Sequence, residues 1–429
     1  MKKNNLLRSC VNFIEQGDDF LCTSNRKNQA TDQIFKAYFK GAALCVTTQS
    51  IDRAWIKKID SGIEARNKYI DEYYKGFDEV KLIAITGTNG KTSTTCLLQR
   101  ALELAGFKAY VVGTIGFRRS SNSKWINQNL TTPDYADLRA FMKIAQTEKA
   151  DFLILEASSH ALDQNRLGNL FFEIVASTTV SLDAHINYHK SYFNYLISKS
   201  NLFNKIKSKF KVMHYKSMLA PYVSEHIYFF KNTFLNLNNF SSFLQFRNIN
   251  LCKNILERLR VPCPQNLDQW VLESRISGRA EQYFWTKERI VVVDFAHTSK
   301  GLEYLSNQLI NYNKTKKETW LIFGCGGERD RSDRSKMLEV ALRYYDKIII
   351  TSDNPRFEPF KQIVDDILNG YEGNKVQVIE DRSKAIYEAN KKSKMNALIV
   401  IAGKGHEDSQ CIGSLKIPYS DIDEVRKYE

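Results

Sequence analysis

No two of the eight cysteines (Cys10, Cys22, Cys45, Cys96, Cys252, Cys263, Cys325, Cys411) stand in a Cys-x-x-Cys pair. Scattered thiols argue against a zinc site and against a disulfide framework, and they suggest a reducing compartment. Nor does any stretch approach the ~20 apolar residues of a membrane span. Arg8 and Asn12 interrupt the apolar positions Leu6, Leu7, Cys10, Val11, Phe13 and Ile14, so a signal-peptide core is missing too. Those spacings instead predict a short amphipathic helix over Met1–Gln16. The expected location is the cytoplasm. Concentrated basic patches are also absent: the formal charge is +14, but the lysines are dispersed. An anionic small-molecule substrate serves that charge as well as nucleic acid would, and neither nucleic acid nor membrane is the expected partner.

What is present suits a soluble enzyme. The 429 residues allow two or three domains, with 43% hydrophobic and 12% aromatic content. The chain is organised around residues 81–95. The apolar run Leu82–Ile85 reads as a buried strand, Gly87-Thr88-Asn89-Gly90-Lys91-Thr92 follows it, and Thr94–Leu104 is compatible with a helix. Strand, glycine turn, Lys-Thr and helix make a phosphate-binding loop. The glycines let backbone N–H groups approach phosphate, and the helix N-terminus adds partial positive charge. Lys91 is placed to reach the outer phosphates of ATP, and the Thr92 hydroxyl to hold Mg²⁺. Ile85 stands where the general motif has its first glycine, so the loop is the shorter Gly-x-x-Gly-Lys-Thr form.

Residues 1–80 form a small first unit, with strands at Phe20–Cys22 and Ala43–Val46, a helix over Thr31–Lys40 and a charged helical connector over Ile51–Tyr74. From 81 to 275, alternating strand and helix signals predict a largely parallel sheet. Asp134 is placed as a helix N-cap. Strand Phe152–Leu155 delivers Glu156 at its C-terminal end, the edge at which open α/β sheets bind ligands, which makes Glu156 a Mg²⁺ candidate. Three of the seven histidines (His160, His185, His189) then fall close together among acids and hydroxyls. Tyr195, Lys199 and Phe203 share one helix face, so Lys199 either snorkels to solvent or is functional. Residues 204–245, rich in Lys, Asn and Phe, carry no legible pattern beyond variable structure.

Residues 276–429 begin a second alternating region. Four strands (Ile290–Val293, Trp320–Phe323, Lys347–Ile350, Ala397–Ala402) each end in a glycine or charged cluster. Their convergence at one sheet edge predicts a second doubly wound domain with a binding crevice.

Read in order, the motifs resemble those of the Mur ligases of bacterial cell-wall synthesis. They are Ile85–Thr92, Thr131-Thr132-Pro133-Asp134, Glu156–Gln164, Gly278-Arg279-Ala280-Glu281, Asp294–Thr298, Phe323–Asp330, Asp353-Asn354-Pro355-Arg356 and Gly403–Asp408. The resemblance runs from about residue 80 to the C-terminus. It implies three α/β domains: a reduced N-terminal UDP-binding-like unit (1–80), a central P-loop ATPase-type parallel-sheet domain (81–275) and a C-terminal Rossmann-like amino-acid-binding domain (276–429). It also implies domain closure. The chain departs from the family in its shortened first domain, in the extra residue of Asp183-Ala184-His185, in Ser277, and in Ser299-Lys300 after His297.

The implied activity is ATP-dependent amide synthesis in peptidoglycan precursor assembly, and hence in cell shape and division. The resemblance is strongest to the branch that adds meso-diaminopimelate to UDP-N-acetylmuramoyl-L-alanyl-D-glutamate through an acyl phosphate. By resemblance, Glu156 and His185 are metal ligands, Lys199 is carboxylated to a carbamate that helps hold metal, and Arg279, Asp294 and His297 meet the nucleotide. Thr131, Thr132, Ser158 and Arg166 hold the muramoyl-peptide. Arg356 clamps the distal carboxylate of diaminopimelate, Asp353, Asn354, Glu407 and Gly403 meet its amine, and Arg329 takes the other carboxylate. A monomer is expected. The residues leave open a lysine-adding Mur ligase, a folylpolyglutamate synthetase, a weakly active decayed ligase and, from another class, a basic P-loop NTPase acting on nucleic acid.

Overall fold

The computed structural model describes residues 5–24, 26–128, 130–180, 186–224, 226–233, 245–274, 276–285, 289–312 and 318–429, with the side chains of 186, 187 and 310–312 left aside. The chain divides into two compact units. One comprises Met1–Val180, Phe193–Lys231 and Leu251–Cys263, and the other Ser181–Tyr192, Asn232–Asn250 and Pro264–Glu429.

The first unit holds two sheets. Strands β1 (Leu7–Arg8), β2 (Asp19–Leu21), β3 (Leu44–Thr47) and β4 (Ile56–Lys58) form a small parallel sheet in that order. Two sequence expectations fail here. The Met1–Gln16 helix is replaced, within the described residues, by strand β1 and a 3₁₀ turn at Val11–Phe13. Leu7 is fully buried, and the Tyr74 hydroxyl bonds both its N–H and its carbonyl, so tertiary pairing overrides a weak local helix. The Ile51–Tyr74 connector is helical only over Ile63–Tyr73, because β4 pairs with β3 while Trp55 stacks on Tyr38 at 4.2 Å.

The larger sheet runs β11-β10-β9-β5-β8-β6-β7, comprising β5 (Lys81–Thr86), β6 (Ala109–Val112), β7 (Phe117–Arg118), β8 (Phe152–Glu156), β9 (Phe171–Ser177), β10 (Lys207–His214) and β11 (Tyr228–Phe230). All pairings are parallel except β6 with β7. Strands β5 and β8 are buried along their apolar length and covered on both faces, which is why they read as unbroken hydrophobic runs. Strands β10 and β11 lie in the stretch that offered no pattern in the sequence.

The second unit carries the sheet β12-β13-β17-β14-β15-β16: β12 (Glu281–Phe284), β13 (Ile290–Asp294), β14 (Glu318–Phe323), β15 (Lys347–Ile350), β16 (Val376–Val378) and β17 (Ala397–Ala402). Only β12 is antiparallel. The four strands read from sequence are neighbours, so their C-terminal clusters do share one edge. A hairpin, β18 (Ser409–Ile412) and β19 (Leu415–Pro418), follows β17. Among the described residues no helix is long and apolar enough to cross a membrane.

Candidate active site

Gly87 leaves β5 at φ +143°, and a Cβ there would lie 1.8 Å from Thr178 Oγ1. Only glycine fits so close to β9's exit. Gly90 follows in the left-handed region at φ +88°, and the helix starts at the next residue, Lys91–Leu104, three residues before the expected Thr94. Asn89 bridges Thr179, and the Thr88 N–H donates to Thr179 O at 2.8 Å. The loop is therefore braced from the neighbouring strand end. Lys91 Nζ turns back onto its own loop, donating to Gly87 O (2.9 Å) and Thr88 O (3.0 Å).

Thr92 and Glu156 are brought together: the Thr92 hydroxyl donates to Glu156 Oε1 at 2.9 Å. Thr114 completes this cluster, its N–H on Glu156 Oε1 and its hydroxyl on Oε2, both at 2.9 Å. Thr114 stands in the Gly-Thr-Ile-Gly turn after β6, and that position was the signal for it. One carboxylate and two hydroxyls, all oxygen, match the hard-cation preference of Mg²⁺ beside phosphates. No group of three His, Cys, Asp or Glu capable of holding a metal occurs among the described residues. His185 lies outside them.

Lys199 does not snorkel. It is 2% exposed, and its Nζ donates to Gly87 O at 2.8 Å. Burial first, and then the Lys91 charge, hold its pKa well below the usual lysine value. Tyr195, one turn earlier, meets the Thr88 hydroxyl at 2.7 Å and places its ring 4.8 Å from Lys199 Nζ.

Behind Glu156, the Thr132 hydroxyl donates to the Glu156 carbonyl at 2.7 Å, and the Ser158 N–H donates to Thr132 Oγ1 at 2.9 Å. Ser158 caps the helix Ser159–Asp163 through the Ala161 N–H. Thr131 accepts from Thr114 at 3.2 Å. Arg166 donates to Thr132 O at 3.0 Å and pairs with Asp134 at 3.4 Å. Asp134 occupies the N-cap position as expected, but its side chain makes no capping bond.

In the second unit the strand-end clusters converge. Arg356 sits at φ +52°, unusual for a non-glycine residue, and its backbone is held by the hairpin: its N–H donates to Cys411 O and its carbonyl accepts from the Gly413 N–H. Its half-buried guanidinium donates to Gly327 O at 2.6 Å. A Cβ on Gly326 would lie 3.1 Å from Arg356 Nη1 and 3.3 Å from Arg329 Cγ, so both arginines flank the glycine loop. Arg329 is exposed. Asn354 Nδ2 donates to Glu407 Oε2 at 2.9 Å, and Asp353 is buried with its carboxyl pushed up by that burial. A Cβ on Gly403 would stand 2.8 Å from Asp353 Oδ2. Asp353, Asn354, Arg356, Gly403 and Glu407 thus share one crevice. Sequence reasoning missed Lys404, which lies among them.

Asp294 turns inward and accepts from the Ala280 and Ala296 N–H groups, each at 2.7 Å. Arg279 lies over the Phe295 ring at 4.3 Å, and His297 Nδ1 meets Phe295 O at 2.8 Å. His406 packs on the same ring at 4.9 Å, with burial pressing its pKa down to about 3.

Comparison with known proteins identifies the family. The Mur ligase middle domain matches residues 85–248, and the Mur ligase glutamate ligase domain matches 278–405. A UDP-N-acetylmuramoyl-L-alanyl-D-glutamate–2,6-diaminopimelate ligase of Aquifex aeolicus is 32% identical, over 96% of this chain and 91% of the relative. One of Rickettsia rickettsii is 30% identical, over 96% and 93%. The chain belongs to the Mur ligase family. A solved ligase of the same 2,6-diaminopimelate description is 25% identical with a TM-score of 0.56, covering 99% of this chain and 94% of that one. A MurF ligase from Thermotoga maritima, solved with ADP, shares the fold at TM-score 0.64 and 12% identity, covering 100% and 98%.

Proposed function

We propose that the chain is an ATP-dependent carbon–nitrogen ligase that joins meso-diaminopimelate to UDP-N-acetylmuramoyl-L-alanyl-D-glutamate in peptidoglycan precursor synthesis. The observation that carries this reading is the Asp353–Arg356 turn, with a guanidinium on the glycine loop and a carboxylate–amide pair beside it. Diaminopimelate has a second carboxylate at its far end, which a guanidinium binds through two parallel hydrogen bonds. Lysine ends in an ammonium, which Arg356 repels.

A carboxylate is a poor electrophile. ATP first phosphorylates the terminal carboxylate of the UDP-linked dipeptide, releasing ADP. The neutral amine of diaminopimelate then attacks the acyl carbon, the C–O bond to phosphate breaks, and the amine proton leaves with inorganic phosphate or solvent. Little covalent work falls to the protein, which positions groups and neutralises charge. Gly87, Thr88, Asn89 and Gly90 cradle the phosphates, and Lys91 swings from its loop carbonyls to the transferring phosphoryl group. Thr92, Glu156, His185 and the carboxylated Lys199 would hold Mg²⁺, which supplies charge neutralisation on the phosphates.

Burial of Lys199 favours its neutral amine, the form that adds to CO₂ and loses a proton to become a carbamate anion. Thr131, Thr132, Ser158 and Arg166 hold the muramoyl-peptide, while Arg279, Asp294 and His297 meet the nucleotide. Arg356 and Arg329 take the carboxylates of the amino acid, and Asp353, Asn354, Glu407 and Gly403 its amine. Domains at 1–80, 81–275 and 276–429 divide these tasks. The enzyme is a cytoplasmic monomer acting on small molecules, not on nucleic acid or membranes. The test is phosphate release from ATP. Release that requires both UDP-muramoyl-dipeptide and meso-diaminopimelate is the expected result, and release stimulated by polynucleotide instead would overturn the reading.

A further inference from the structure

We propose that Lys404 is a positioning residue for the amino-acid substrate, fixing the Asn354 amide and the Glu407 carboxylate in the orientation that meets the ammonium at the substrate's distal end. The proposal rests on the reading that this crevice binds the diamino acid.

Lys404 follows β17 and is fully buried, which is costly for a lysine ammonium unless it is paired. Nζ donates to Glu407 Oε2 at 2.9 Å and to Asn354 Oδ1 at 3.2 Å, and lies 3.8 Å from Asp353 Oδ1. Asn354 Oδ1 also accepts from the Cys411 N–H at 2.9 Å, while Nδ2 donates to Glu407 Oε2. Both donors face Oδ1 and the carboxylate faces Nδ2, so the network defines the amide's orientation. Flipping the amide would set Lys404 and Cys411 against an NH₂ group and Glu407 against an oxygen.

Charge gives the arrangement its sense. Buried Lys404 and Arg382 face Asp353, Glu407 and Asp421, with Arg382 and Asp421 closed on each other at 2.7 Å. By formal charge this end of the crevice has one carboxylate more than it has cations, and it suits a cation. The end bearing Arg356 and Arg329, on the glycine loop, suits an anion. Without Lys404 the acidic end would hold carboxylates in mutual repulsion, and Asn354 would keep only the Cys411 N–H on its oxygen. The lysine touches protein groups in this structure and acts on the substrate through Asn354 and Glu407.

The experiment compares wild type with Lys404→Met, Lys404→Gln, Asn354→Ala and the Lys404→Met/Asn354→Ala pair, measuring kcat and KM separately for meso-diaminopimelate, ATP and UDP-muramoyl-dipeptide, with thermal melts alongside. The expected result for Lys404→Met is a KM for meso-diaminopimelate raised roughly tenfold or more. KM for the other two substrates should stay within about twofold, and the double variant should be little worse than Asn354→Ala alone, because the two residues act as one unit. Lys404→Gln keeps a donor, should recover part of the loss, and carries the test if the Met variant does not fold. An unchanged KM for meso-diaminopimelate, an equal rise for all three substrates, additive losses, or failure of both variants to fold would each overturn the inference. Wild type that does not ligate meso-diaminopimelate would overturn the underlying reading as well.

Discussion

The phosphate-loop site and the amino-acid crevice are built by opposite strategies. The loop of the first is shaped largely by its own backbone: Gly87, Asn89 and Gly90 set it and its lysine rests on carbonyls three and four residues away, while Glu156, Thr179 and Lys199 brace it from elsewhere in the chain. The second is non-local and made of side chains: Asn354 meets Glu407 across 53 residues, and a hairpin pins Arg356 in a strained conformation. A backbone cradle tolerates many phosphates and so supplies the common chemistry. A side-chain ring with defined donors and acceptors discriminates one amino acid from another, because a wrong substrate leaves buried polar groups unmatched. Damage to the first site should therefore abolish turnover, and damage to the second should change preference.

The largest effect falls in the first site. Lys91→Ala removes the cation that meets the transferring phosphoryl group, and kcat should fall by about 100-fold or more with the melting temperature little changed. Near-normal ligation would erase the contrast. Lys199→Ala comes next, with a fall of similar kind. In ¹³C-bicarbonate, wild type should show a carbamate signal that this variant lacks, and an unmodified Lys199 in fully active enzyme would count against its role. In the second site, Arg356→Ala should weaken use of meso-diaminopimelate by tens-fold or more, the loss of a charge-assisted pair of roughly 2–5 kcal/mol, while KM for ATP holds.

Legibility in the sequence follows the same division. The phosphate loop, β15 and β17 could be read directly, because buried parallel strands are continuous apolar runs closed by a glycine or polar cluster. The arginine and asparagine of the crevice were visible as a motif, but Lys404 was not. Its partners are Asp353 and Asn354, some fifty residues upstream, and Glu407 on its own loop, and only the folded chain shows that ring closing around it. Likewise only the fold brings Thr114 of the Gly-Thr-Ile-Gly turn within 2.9 Å of Glu156. The N-terminal helix failed for a related reason. Leu7 and Val11 have helical spacing, yet Ser9 and Cys10 donate to Asp137, far along the chain, and that contact decides the local structure.

The smallest effect is on stability. Arg334 holds the Glu358 carboxyl down at about pKa 2, and the Glu328 N–H donates to the same carboxylate beneath the glycine loop. A depressed pKa contributes stability that is present above the unfolded value, near ~4.3, and is lost as pH falls toward 2. Since part of the pair faces solvent, the loss should be on the order of 1–2 kcal/mol. Acid titration of Glu358→Gln should lack this component, and an unchanged acid limb would show that the pair does not support the loop.

The most direct test offers the wild-type enzyme ATP, UDP-N-acetylmuramoyl-L-alanyl-D-glutamate and equal concentrations of meso-diaminopimelate and L-lysine, and identifies the UDP-linked product by mass. The account predicts the diaminopimelate adduct in large excess. Predominance of the lysine adduct would contradict it.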